Sequence, residues 1–96
     1  MHEKGFIHRD IKPDNLVTGR YENTNSLYLI DLGFAHPLYE NNQHIPFADK
    51  QPLVGTLNYC SLNTHYGHQQ SRRDDLESLF YMLIKFYEGA LPWERI

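Results

Sequence analysis

His8-Arg9-Asp10-Ile11-Lys12-Pro13-Asp14-Asn15, HRDIKPDN, sets acids, bases and an amide within eight residues and stiffens them with a proline. A solvated loop tolerates those letters in any order, so the order itself is informative. Downstream, Leu16-Val17-Thr18 is a brief apolar run closed by Gly19, and residues 20–26, RYENTNS, are turn chemistry. Leu27-Tyr28-Leu29-Ile30 then reads as a short buried strand ending at Asp31, with Leu32-Gly33 behind it. The two apolar runs, 16–18 and 27–30, are expected to pair antiparallel. Taken alone, an Asp-x-Gly after a strand is most often a turn, and a charged octapeptide most often faces solvent. Together, in this order and spacing, they are far more specific.

Phosphoryl transfer from a nucleotide asks a protein for positioning and charge compensation rather than covalent chemistry. An aspartate beside the attacking hydroxyl can orient it and accept its proton. A lysine two residues on can reach the transferred group. An amide oxygen five residues on can ligate Mg²⁺, and a carboxylate from elsewhere can complete the metal site. Hard oxygen ligands, one or two from the protein, suit Mg²⁺. Asp10, Lys12, Asn15 and Asp31 match those four tasks. Gly33 is expected to permit an abrupt change of direction, turning the Asp31 carboxylate toward the metal.

Further out, Ser71 followed by Asp74 resembles a capping box with an acid in the Glu position. Leu76, Leu79, Phe80, Leu83, Ile84 and Tyr87 keep helical spacing until Gly89 and Pro92 stop the helix. Tyr81, Met82 and Phe86 fill the other face, and a helix apolar nearly all round is a buried one. Burying it on every side takes more elements than a chain this short readily supplies. A segment of something larger, or a domain completed by a partner, is therefore expected. Residues 34–55 carry three prolines and little periodicity, which reads as a long ordered loop.

Bulk properties narrow the class. The chain has 96 residues, 41% hydrophobic and 22% charged, with a net charge of −3, so no nucleic-acid footprint stands out. No apolar run reaches the ~18 residues of a membrane span, and MHEKGFIHRD has no apolar signal core. Cys60 is the single cysteine, which points to a reducing compartment, cytoplasmic or nuclear.

HRDIKPDN and DLG resemble the catalytic loop and magnesium motif of eukaryotic protein kinases, with Leu32 in place of the commoner Phe. Lys12 suggests the serine/threonine type. QHIPF (43–47), VGTLNYCSLNTHYG (54–67) and QSRRDDLESLFYMLIKFYEGALPW (70–93) closely resemble the casein kinase 1 family, in which Ser-Ile-Asn stands where most kinases have Ala-Pro-Glu; here it is Ser61-Leu62-Asn63. The resemblance implies an α+β large-lobe fragment of a kinase, mainly helical, with a small antiparallel hairpin and a long activation segment. On it, residues 1–96 are a partial kinase domain: catalytic loop 8–15, magnesium loop 31–33, activation segment 31–63 and a buried central helix 72–88. It also implies the activity, transfer of the ATP γ-phosphate to Ser or Thr of protein substrates. Asp10 is then the proton acceptor and Lys12 steadies the γ-phosphoryl, while Asn15 and Asp31 hold magnesium. Thr56 bonds to the catalytic loop, and Asp75 braces the loop backbone.

The pattern also departs from the family. Between Gly33 and Thr56 there is no serine or threonine, so Arg9 lacks the usual phosphorylated partner and is expected to be structural. Asn58 and Gln51 stand where the family carries arginine and lysine, which implies a weakened preference for phosphate-primed substrates. Phe80 replaces a glycine typical of the helix. A glycine-rich loop and a strand lysine are not in this sequence, so the chain alone is expected to be an incomplete and inactive nucleotide site, its helix covered by missing kinase segments or a partner. The alternative reading is a non-catalytic kinase-like module that binds or regulates a partner. His65-x-x-His68 lacks the second ligand pair of a zinc site, and Cys60 lacks the context of a thiol nucleophile; both read as ordinary residues. Trp93 is expected to seal the end of the helix.

Overall fold

Turn-forming residues interrupt the chain so often that, among the described residues, no strand exceeds three residues. The computed structural model describes residues 1–94, the side chain of Asn23 excepted. Its strands are β1 (Phe6–Ile7), β2 (Leu16–Thr18), β3 (Leu27–Leu29), β4 (His36–Pro37), β5 (Tyr39–Glu40) and β6 (Gln43–His44). Its α-helices are α1 (Leu62–His65) and α2 (Arg72–Glu88). Only α2 is long, so the expectation of a mainly helical chain is corrected to one main helix among short strands and 3₁₀ turns.

The strands form three separate two-stranded antiparallel sheets, β1 with β4, β2 with β3 and β5 with β6, rather than one hairpin. In β2/β3 the register is Leu16↔Leu29, Val17↔Tyr28 and Thr18↔Leu27. One further bond, from the Ile30 N–H to the Asn15 carbonyl at 2.9 Å, continues this ladder. The end of the HRDIKPDN turn therefore lies across from the residue preceding Asp31. The reading of 34–55 as irregular is corrected too, since β4, β5 and β6 lie inside it. Asn41 and Asn42 take φ values of 52° and 63°, joining β5 and β6 by a two-residue left-handed turn. Asparagine accepts that conformation at little cost, and the turn's twist matches that of the flanking strands.

Ile7, Leu38 and Ile45 form the buried aliphatic cluster. Backbone bonds stitch it together: Leu38 N–H to Gly5 O at 2.7 Å, and Ile45 N–H to Leu38 O at 2.6 Å. Helix α2 begins where the Asp74 carboxylate accepts the Ser71 N–H at 2.7 Å, one limb of a capping box. It ends at Gly89, which turns left-handed at φ 84° and returns its N–H to Lys85 O.

The expectation that 72–88 is buried on all sides is corrected. Leu76 (59%), Phe80 (60%), Leu83 (53%), Phe86 (60%) and Tyr87 (87%) are exposed, while Asp74, Asp75 and Met82 are buried. Thickness explains the difference. The molecule measures 18 Å along its shortest axis, and a helix with its side chains alone occupies roughly 10–12 Å. One further layer fits, and it lies on the side of the two aspartates. Among the described residues no helix is long and apolar enough to cross a membrane.

Candidate active site

The loop that follows β1 is held in a conformation it would not choose alone. Arg9 sits at φ 70°, in the left-handed region, which costs a non-glycine residue free energy unless neighbours compensate. Compensation comes from Asp75, on the first turn of α2. Its Oδ2 accepts the His8 N–H at 2.7 Å, and its Oδ1 accepts the Arg9 N–H at 2.9 Å. His2 adds a third contact, Nε2 to Asp75 Oδ2 at 2.8 Å. Arg9 directs its guanidinium elsewhere, donating from Nε to the Phe34 carbonyl at 2.7 Å. Burial pulls that guanidinium below its ordinary pKa, with the Asp75 charge opposing the shift.

His8, fully buried, joins the loop to the strand that leads to Asp31. Its Nδ1 faces the Asp10 N–H at 3.1 Å and its Nε2 faces the Ile30 carbonyl at 2.9 Å. An N–H can only donate and a carbonyl only accept, so the ring proton is assigned to Nε2. The sequence offered no signal for this role, nor for His2, whose partner lies 73 positions away.

Asp10 is buried and sits at the centre of the cluster. Its Oδ1 accepts the Thr56 hydroxyl at 2.7 Å. The Asn15 Nδ2 donates to the Asp10 carbonyl at 2.9 Å and lies 3.3 Å from Asp10 Oδ2. The Lys12 Nζ is 3.8 Å from the same Oδ2. Asp10, Lys12, Asn15 and Thr56 are thus brought together. Gly55 makes the approach of the Thr56 segment physically allowed. It adopts φ +120°, and a Cβ there would lie 2.7 Å from the Arg9 carbonyl oxygen. Sequence reasoning passed over Gly55, although a glycine directly before Thr56 was the available signal.

Asp31 stands beyond β3, exposed, at φ 62°. The abrupt turn expected at Gly33 is therefore made by Asp31 itself. Gly33 contributes its N–H, which donates to Asp31 Oδ1 at 3.1 Å, and its lack of a Cβ, which would sit 3.1 Å from that oxygen. The donor set fits a hard cation. The Asp10 carbonyl fixes the Asn15 amide nitrogen inward, leaving Asn15 Oδ1 as the outward end, and Asp31 supplies a carboxylate. Among the described residues no group of three or more His, Cys, Asp or Glu gathers to hold a metal by itself.

The segment after Thr56 is clamped to α2. Ser61, fully buried, bonds Asp74 Oδ1 at 2.5 Å and caps α1 by accepting the Thr64 N–H at 3.1 Å. Glu77 Oε2 accepts the Leu62 N–H at 2.8 Å and the Tyr81 hydroxyl at 2.6 Å. Burial, with this bond and the Glu77 charge, pushes the Tyr81 phenol up to about 12. Trp93 reaches back to donate its indole N–H to the Asn58 carbonyl at 2.7 Å and packs edge-on against Tyr81. Burial, reinforced by the Asp10 charge, pushes the Cys60 thiol up to about 11, so it is neutral at physiological pH. His65 contacts the Leu57 carbonyl while His68 contacts Asn63, so the two rings serve separate partners.

A family model described as protein kinase domain matches residues 1–96. With the match running over the whole sequence, the chain belongs to the protein kinase family, whose members are transferases that act on proteins and generally use ATP and Mg²⁺.

Proposed function

We propose that this chain supplies the catalytic and magnesium loops of a serine/threonine protein kinase of casein kinase 1 type, transferring the ATP γ-phosphate to a protein hydroxyl. The observation that carries this reading is the 2.7 Å bond between the Thr56 hydroxyl and Asp10 Oδ1, across 46 positions of sequence. It fixes one carboxylate oxygen and leaves Oδ2, whose neighbours lie at 3.3 and 3.8 Å, with capacity for an acceptor hydroxyl. Asp10 then orients that hydroxyl and takes its proton at Oδ2. Lys12, beside the same oxygen, steadies negative charge on the transferred group. Asn15 Oδ1 and the Asp31 carboxylate hold the metal. Mg·ATP, when bound, supplies the transferable phosphoryl group and part of the charge compensation.

Support for the casein kinase 1 type comes from Ser61, in the Ser-Leu-Asn that replaces Ala-Pro-Glu. An alanine there could make neither of the bonds that Ser61 makes to Asp74 and Thr64. Asn58 and Gln51 bring no charge to the substrate-facing segment, in keeping with acceptors that need no priming phosphate at those two positions.

Transfer from radiolabelled Mg·ATP to matched peptides carrying one serine, one threonine or one tyrosine tests the reading on the full-length protein. Serine and threonine peptides are expected to be labelled and the tyrosine peptide not. Labelling of tyrosine, or of no peptide, contradicts it; the latter outcome favours a non-catalytic kinase-like module.

A further inference from the structure

Four hydrogen bonds between the loop after β1 and the residue after β3 close into a ring. The Asp10 N–H donates to His8 Nδ1 at 3.1 Å, and His8 Nε2 donates to the Ile30 carbonyl at 2.9 Å. The Ile30 N–H donates to the Asn15 carbonyl at 2.9 Å, and the Asn15 Nδ2 donates to the Asp10 carbonyl at 2.9 Å. Every bond points the same way round: Asp10 to His8, to Ile30, to Asn15 and back to Asp10. His8, Asn15 and Asp10 are all buried, so water competes little for these groups.

The ring has only one permitted sense. Two of its four donors are backbone N–H groups, which cannot accept. An imidazole with its proton on Nδ1 would set two donors against each other at Asp10 and two acceptors against each other at Ile30. An inverted Asn15 amide would set its oxygen against the Asp10 carbonyl. One circuit therefore fixes both the His8 tautomer and the direction of the Asn15 amide. Three of its members belong to, or adjoin, the groups assigned to the chemistry: Asp10 carries the base, Asn15 turns its Oδ1 outward, and Ile30 precedes Asp31. His8 is the fourth, and it lends one ring nitrogen to each side.

We propose that His8 is a positioning residue that serves two functions separately, the base through Nδ1 and the metal side through Nε2. Through Nδ1 it holds the Asp10 backbone and so aims the carboxylate. Through Nε2 it holds Ile30, whose N–H is bonded to Asn15 and whose carbonyl leads into Asp31. Groups that orient ligands in this way tune them without touching the substrate. The role rests on the proposed tasks of Asp10, Asn15 and Asp31, whereas the ring does not.

The ring is tested without turnover, which tells its failure apart from failure of the kinase reading. Nitrogen NMR of the full-length protein, isotopically labelled at histidine and aspartate, reads the His8 tautomer and the coupling between Asp10 N and His8 Nδ1 across their hydrogen bond. A proton on Nε2 and a measurable coupling are expected; a proton on Nδ1, or no coupling, would overturn the proposal. Side-chain shape then separates the two functions. His8→Asn places an oxygen where Nδ1 stands and gives up the bond to Ile30. His8→Gln places an N–H where Nε2 stands and gives up the bond from Asp10. His8→Asn is expected to raise the Mg²⁺ concentration for half-maximal phosphotransfer about tenfold, with kcat held within about threefold. His8→Gln is expected to lower kcat about tenfold, with the Mg²⁺ requirement held within about threefold. Equal losses in both quantities from both variants would make His8 a packing residue and overturn the proposal. Where the variants fail to fold, the NMR of the wild-type protein decides.

Discussion

At Asp75 one buried carboxylate receives two backbone N–H groups and a histidine contact, so its removal strands several partners at once. Asp75→Ala is expected to lower unfolding stability by about 3 kcal/mol, since each buried N–H left unpaired is costly. Urea unfolding measures this, and a loss below about 1 kcal/mol would show that Arg9 needs no such support. Cys60 offers a pH prediction. Its thiol is raised from 9.0 to about 11 by burial and then by the Asp10 charge, so folding favours the protonated form. The resulting stabilisation is complete below pH 9 and lost as pH rises toward 11. Alkylation of this single cysteine by iodoacetamide should stay slow at pH 9 and accelerate near pH 11; a half-rise near pH 8.5 would contradict it. What was legible at this scale followed from local spacing. Asp10 and Asn15 lie five positions apart and do meet. His2 and Gly55 act through distant backbone or a distant carboxylate, which spacing cannot display.

At the scale of elements, the β5/β6 hairpin rests on two asparagines in the left-handed region. Asn42→Val, a β-branched residue at φ 63°, is expected to cost about 1–2 kcal/mol, whereas Asn42→Gly should be neutral or stabilising. Thermal unfolding of the two variants checks the difference, and equal melting would remove the turn from the explanation. The limits of α2 were legible because Ser71, Asp74 and Gly89 are local capping signals. The paired strands of 34–55 were less so. Two-residue ladders are too short for alternation to register, and Asn-Asn is a weaker turn signal than Asn-Gly. The turn was expected at Gly33 rather than at Asp31 for a different reason, since glycine is the usual occupant of positive φ.

Across the whole molecule, the apolar composition of α2 led to the expectation of a helix buried on every side, whereas Leu76, Phe80, Leu83, Phe86 and Tyr87 are exposed. A thickness of 18 Å allows burial of the aspartate side alone. Leu76→Lys with Phe80→Lys is therefore expected to change the stability of the chain by no more than about 0.5 kcal/mol while reducing binding of an apolar dye. A large loss of stability would mean that this face is covered in solution. The catalytic arrangement is tested most directly by phosphotransfer from Mg·ATP in the full-length protein, wild type against Asp10→Asn, with Arg20→Gln as control. The Asp10→Asn rate is expected to fall by about 10²–10⁴-fold while the control holds. A rate within a few fold of wild type would contradict the assignment of Asp10 and, with it, the function proposed for the cluster.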